Sequence, residues 1–334
     1  MIRRLLLLFT FSFLFMGCFL QAEEKSSHKY IIATANTGGT FYPVGMGIAN
    51  LLSLKDGMLF SAISSNGSFD NIRMLENKKV DFAMIQGLAG MMAWDGTHMY
   101  HNKPHKNLRS VSLLWKNVEH FLVTKDIATT GNIQDLKNLY GQNFSIAEND
   151  SGSKASAEII MDTLGIEYSK MNLYYLGYNQ SAVALQQGKI KGMNTPAGPP
   201  VVAVGSVFGA MGPLKVSLLE FSDEDLKTIQ KQYPIWKRYV IKANTYPRQT
   251  QEIHTIAQPN FLVTDVDTPE EVVYRLTKTM YENLSFLNSV NQGTMSLSLQ
   301  HALDDLIIPL HKGALRYYQE MGVAIPQHLI DTHP

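Results

Sequence analysis

Three times between residues 30 and 87 a short apolar run ends at small polar residues, and twice the chain then enters a helical pattern. Tyr30-Ile31-Ile32-Ala33-Thr34 reads as a buried strand, and Asn36-Thr37-Gly38-Gly39-Thr40 as the loop after it. Pro43 then opens a helix with Val44, Met46, Ile48, Leu51 and Leu52 at helical spacing. Met58 to Ser64 is a second strand, Asn66-Gly67-Ser68 its turn, and Phe69 to Leu75 the start of its helix. Val80 to Ile85, closed by Gln86-Gly87, is a third strand. Strands alternating with helices in this way predict a mainly parallel α/β sheet.

A second block of the same kind follows. Phe144-Ser145-Ile146-Ala147 leads through Asp150-Ser151-Gly152-Ser153 into a helix from about Lys154 to Leu164. Leu173 to Leu176 and Ile190 to Met193 are strand-like. Two echoing segments bracket the block, His120-Phe121-Leu122-Val123-Thr124 and Asn260-Phe261-Leu262-Val263-Thr264. We read them as the crossings of a two-stranded hinge, with one domain inserted into the other. Chance likeness between short apolar strands is the plainer alternative. On the hinge reading, residues 28–122 and 261–334 form lobe 1, which carries the C-terminal helices, and residues 123–260 form lobe 2. Those helices begin at Thr268-Pro269-Glu270-Glu271, a capping Thr followed by Pro and two acids. A last helix opens between Pro309 and Tyr318. A length of 334 residues suits two domains of about 100–200 residues each.

The N-terminus is different in kind. Arg3 and Arg4 precede the almost wholly apolar stretch from Leu5 to Leu20, and Gln21, Ala22, Glu23, Glu24 and Lys25 then turn polar at once. This is the layout of a secretory signal peptide over residues 1–22, with cleavage after Leu20-Gln21-Ala22 and a periplasmic mature chain. The competing reading is a retained anchor, but the apolar run is shorter than the roughly 18–20 residues of a spanning helix. Met16-Gly17-Cys18 resembles the end of a lipoprotein processing box, with Phe15 where Leu is usual, so lipid anchoring at Cys18 is a second route. Otherwise the mature chain has no cysteine, and no disulfide or thiol chemistry. Lys plus Arg and Asp plus Glu are both 29, and no basic stripe marks a nucleic-acid binder.

The strongest chemical constellation is the set of turns at Thr37 to Tyr42, Asn66 to Ser68 and Ser151 to Ser153. In a parallel sheet such turns gather at the carboxyl edge of the strands. Each presents unpaired N–H groups at a helix N-terminus, where the dipole favours an anion. Two such edges facing across a hinge would clamp a carboxylate. Ordinary capping chemistry accounts for any one of them alone. No P-loop, dinucleotide fingerprint or Gly-x-Ser-x-Gly elbow is present. His98, His101 and His105 lie in a polar loop without a second ligand pair, so neither metal nor cofactor is expected. Asp304 and Asp305 make a poor acid–base pair, and Ser222-Asp223-Glu224-Asp225 looks like a capped first turn. No residue is assigned a catalytic role. Asn194 to Pro200 is a loop that closes over a ligand or simply connects. The aromatic cluster Tyr174, Tyr175 and Tyr178 reads first as core or rim packing, with Tyr178-Asn179-Gln180-Ser181 as a cleft wall the alternative.

These residues together resemble a known family. Thr37-Gly38-Gly39-Thr40-Phe41-Tyr42-Pro43-Val44-Gly45 looks like the N-terminal signature of the TAXI-type solute receptors of TRAP transporters. Asn66-Gly67-Ser68-Phe69-Asp70-Asn71-Ile72, Val80 to Gln86, Ser151-Gly152-Ser153, Leu176-Gly177-Tyr178 and Gln187-Gly188-Lys189-Ile190 follow in the family's order. Pro309 to Tyr318 is similar to its C-terminal signature. The resemblance implies a two-lobed type II periplasmic-binding-protein fold that passes its ligand to an ion-driven membrane permease. It implies a small carboxylate ligand, either a glutamate- or glutamine-like amino acid or a C4–C5 dicarboxylate. The contacts it implies are Gly38, Gly39, Thr40, Phe41, Tyr42, Ser68 and Gln86 from one lobe, and Ser151, Gly152, Ser153 and Pro196 from the other. Arg73, Lys154 and Arg248 are candidates to pair with a second carboxylate. The chain departs from the family at Lys191-Gly192-Met193-Asn194 and at Glu148-Asn149-Asp150, where two acids stand beside the expected cleft. The rival readings are a ligand sensor or surface immunogen that keeps the binding fold, and an enzyme built on the same lobes.

Overall fold

The computed structural model describes residues 28–331. The expected signal peptide, residues 1–22, and Cys18 lie outside the described residues. Among the described residues no helix is long and apolar enough to cross a membrane.

The chain opens with β1 (Tyr30–Ala33), α1 (Phe41–Lys55), β2 (Phe60–Ile63), α2 (Ser68–Glu76), β3 (Phe82–Gln86), α3 (Gly87–Asp95) and β4 (Leu108–Val118). β1 pairs in parallel with β2 and with β3. Every residue of β3 is buried, which is why its sequence is a near-continuous apolar run. α1 buries Val44, Ile48, Leu51 and Leu52, one stripe at helical spacing. The second block holds β5 (Phe121–Thr124), β6 (Asn143–Ser145), α4 (Gly152–Thr163), β7 (Asn172–Tyr174), α5 (Tyr178–Gln186), β8 (Gly192–Asn194), α6 (Val202–Met211), β9 (Val216–Leu218) and α7 (Asp223–Gln230). The chain returns through β10 (Lys237–Ile241) and β11 (Ile253–Asp265) to α8 (Glu270–Glu282), α9 (Leu284–Val290) and α10 (Lys312–Glu320).

Two sheets result. The first runs β10-β11-β3-β1-β2, with β4 also paired to β11. The second runs β7-β6-β8-β5-β9. Both are mixed. β11 runs antiparallel to β3, β4 and β10, and β5 runs antiparallel to β8 and β9. The expectation of mainly parallel sheets therefore holds for the strand–helix units alone, because the strands that carry the chain between sheets run back against them. The fold is two-lobed and mixed α/β.

The hinge reading needs correction in detail. Phe121–Thr124 lies wholly in the second sheet, and Phe261 to Thr264 pairs with β3 in the first. The passage is made just before each echo. Val118 pairs with Ala257, and Glu119 donates its N–H to the Ile256 carbonyl at 2.9 Å. The expected cap Thr268 is also corrected. Its hydroxyl lies 2.7 Å from the Thr264 hydroxyl, and α8 starts at Glu270 after Pro269. The Ser222 capping box on α7 is present, with the Asp225 N–H donating to Ser222 Oγ at 3.1 Å.

Candidate functional site

A cleft lies between the sheets where helix N-termini from both lobes converge. Thr40 and Phe41 stand at the start of α1, Gly67 and Ser68 at α2, Gly152 and Ser153 at α4, and Tyr178 at α5. All seven line the cleft, with Gly39, Gln86 and Pro196. The converging dipoles make the space favourable to negative charge without a cationic side chain.

The turn residues serve the cleft because their side chains are diverted from routine capping. Thr40 does not cap α1; its hydroxyl donates to the Gly198 carbonyl at 2.8 Å, across the cleft. Ser68 Oγ accepts the Gln86 N–H at 3.0 Å, tying α2 to the end of β3. Tyr178 donates to the Pro196 carbonyl at 2.7 Å and lies 2.6 Å from Ser153 Oγ. Burial raises the Tyr178 phenol far above its ordinary range, so it stays protonated. Asn36 bonds Glu148 at 3.3 Å, and burial pushes that carboxyl up.

Eight of the expected contacts therefore meet in one place: Gly39, Thr40, Phe41, Ser68, Gln86, Gly152, Ser153 and Pro196. Gly38, Tyr42 and Ser151 are not part of the lining. Gly38 lies against Asn179. Ser151 caps α4, accepting the Lys154 N–H at 3.1 Å, and faces a separate groove. The basic candidates also stand elsewhere. Arg73 pairs with Asp70 at 2.7 Å and Asp150 at 3.2 Å, and Lys154 with Glu158 at 2.8 Å. Arg248 donates to the Phe208 and Gly209 carbonyls.

The structure adds Ala35, Asn36, Asn66, Gly67, Trp115, Asn117, Tyr178 and Ala197 to the lining. Tyr178 belongs to a stretch for which core or rim packing is the first expectation and a cleft wall the alternative. Trp115 and Asn117 carried no turn signal, since they sit inside β4, away from any strand-to-helix turn. No local signal marked them, since β4 mixes polar and apolar residues along its length. The cleft holds a cavity of about 30 Å³, room for two or three waters at about 10–15 Å³ each.

Comparison with solved structures places the fold. MatC from Rhodopseudomonas palustris, solved with bound malate, is 14% identical over 88% of this chain and 96% of that one, with a TM-score of 0.55. The periplasmic binding protein BugD is 12% identical over 80% and 86%, with a TM-score of 0.52. A protein of Bordetella bronchiseptica RB50 is 15% identical over 87% and 82%, with a TM-score of 0.51. At such identities the likeness speaks for the fold, which is that of periplasmic binding proteins. The sequence model of the NMT1-like family matches residues 32–322, nearly all of the described chain, and the protein belongs to that family.

Proposed function

We propose that the protein is an exported solute receptor without catalytic activity, which captures a small organic anion by hinge closure and presents it to a membrane permease. One observation carries this reading. Among the described residues, the interlobe cleft is lined by helix N-termini from both sides and by no Asp, Glu, Lys, Arg or His side chain. Such a site binds an anion through neutral dipoles, and its only ionisable lining group is a phenol held neutral. Acid–base catalysis needs a titratable group near its working pH, and the lining offers none.

Closure follows from the same geometry. Ligand contacts from both lobes favour the closed state over the open one, and only such differential affinity shifts that balance. We place the bending points at Glu119-His120 and near Ile256 to Gln258, close to the lobe boundaries expected from the sequence. The resemblance to TAXI-type receptors supports a TRAP-type, ion-driven permease as the partner and the periplasm as the place. It also supports a ligand range of glutamate- or glutamine-like amino acids and C4–C5 dicarboxylates. The malate bound to MatC agrees with a small carboxylate as the general class.

The test is thermal unfolding of the mature chain, stripped of co-purified ligand, against a broad panel of organic acids and amino acids. A ligand well above its dissociation constant should raise the midpoint by several degrees. Thr40→Leu should abolish that shift and leave the ligand-free midpoint within a few degrees of wild type. No shift with any compound, or a shift that survives Thr40→Leu unchanged, overturns the reading.

A further inference from the structure

Two buried donors in the cleft have no partner. Trp115 and Asn117 both belong to β4, with Trp115 at a bulge where the pairing with β11 shifts register. Both line the cleft, and they are 2% and 1% exposed. Among the described residues, Trp115 Nε1 and Asn117 Nδ2 make no hydrogen bond. Buried donors in native proteins are nearly always paired, and an unmade one is costly. Two such donors lining one cavity mark where an acceptor group sits.

The charges around the cleft narrow what that acceptor belongs to. Among the described residues no cationic side chain is in the lining, and Arg73, Lys154 and Arg248 are committed to other partners. Glu148 stands behind Asn36 and adds negative potential on that side. A second carboxylate would be buried with no countercharge, which is strongly unfavourable. An ammonium group would likewise meet no carboxylate in the lining. A single carboxylate is well served by neutral N–H donors and helix N-termini.

Resting on the receptor reading, we propose that the cleft selects a short monocarboxylate with no second charge, such as a 2-hydroxy or 2-oxo acid, anchored by Trp115 Nε1 and Asn117 Nδ2. This excludes the dicarboxylate and amino-acid parts of the range that the family resemblance implies.

Calorimetric titration of the ligand-stripped mature protein with lactate, pyruvate and butyrate, against malate, glutarate, alanine and glutamate, tests the proposal. The expected result is binding of at least one monocarboxylate at least about tenfold tighter than every dicarboxylate and amino acid. Trp115→Phe and Asn117→Leu should each weaken it about ten- to a hundredfold, the loss of one hydrogen bond to a charged group. Their ligand-free melting temperatures should stay level or rise, because each removes an unpaired buried donor. A purely packing role gives the opposite pattern, with lower melting temperatures and unchanged affinity, and overturns the anchor assignment. If one variant fails to fold, the other variant and the wild-type selectivity still decide. Tightest binding of a dicarboxylate or an amino acid leaves the receptor standing and sinks the monocarboxylate inference. Binding of no acid at all sinks both.

Discussion

At the residue scale the most unusual environment belongs to Glu119 and His120, two neighbours between β4 and β5. Glu119 is fully enclosed, and burial pushes its carboxyl up to about 7 against donors from Trp236, Ser156 and Gln258. Burial lowers the adjacent His120 to about 4, although its bond to the Val118 carbonyl opposes this. With Nδ1 donating to that carbonyl at 2.8 Å, Nε2 accepts the Tyr246 hydroxyl at 2.6 Å, so the imidazole is neutral. The two groups act on stability with opposite signs. A raised acid contributes stability that is full below its unfolded value near 4.5 and is lost as pH rises through 7. A lowered histidine contributes stability that is full above 6.5 and is lost as pH falls toward 4. Each contributes about 3 kcal/mol at most, at about 1.4 kcal/mol for every pH unit that separates its folded from its unfolded value. Between pH 4.5 and 6.5 they offset each other. Glu119→Gln should expose the histidine contribution alone. In denaturant titrations, the variant should gain about 2–3 kcal/mol from pH 4 to 6.5 and stay flat above, while wild type changes less. Superimposable curves for the two proteins would refute the assignment.

At the scale of elements, close approach rather than propensity decides several placements. α10 lies directly on α8, with Tyr317 stacked on Tyr281 and Tyr318 edge-on to it. Gly313 permits this, since a Cβ there would collide with the Glu270 carbonyl oxygen and come within 2.7 Å of Tyr274 N. Backbone atoms cannot yield as a side-chain tip can. Gly313→Ala should therefore lift the start of α10 and cost about 1–3 kcal/mol, the usual range for overpacking, seen as a lower urea midpoint. A midpoint equal to wild type would show that α10 slides without penalty. The strand–helix units were legible because their apolar spacing and turns are local. The antiparallel role of β11 was not, because a buried strand reads the same in either direction.

At the scale of the molecule the two lobes touch across the cleft. Thr40 reaches Gly198, Asn36 reaches Glu148, and the Asp70 N–H donates to the Asp150 carbonyl at 3.2 Å. The Arg73–Asp150 pair at the rim is exposed, and such pairs add about 0–1 kcal/mol. The contacts between the lobes thus rest on fit more than on charge. Gly152 is one of the tight points, since a Cβ there would stand 2.6 Å from Gln86 Oε1 and 2.7 Å from Ser68 Oγ. Gly152→Val should hold the lobes apart without unfolding either. Small-angle scattering should give a larger radius of gyration than wild type with saturating ligand, with the melting temperature of the ligand-free form retained. A variant that still contracts on adding ligand would show that the wedge is absorbed by side-chain movement.

The sequence by itself determined the α/β class, the order of its units and the turns that supply most of the cleft. Each of those is a matter of local spacing and of which small residues precede a helix. Only the tertiary structure decided that Trp115 and Asn117 line the cleft, that Ser151 does not, and that Arg73, Lys154 and Arg248 bond to groups elsewhere. Those facts depend on which strand faces meet once both sheets have packed, and no local pattern encodes the partner of a buried donor.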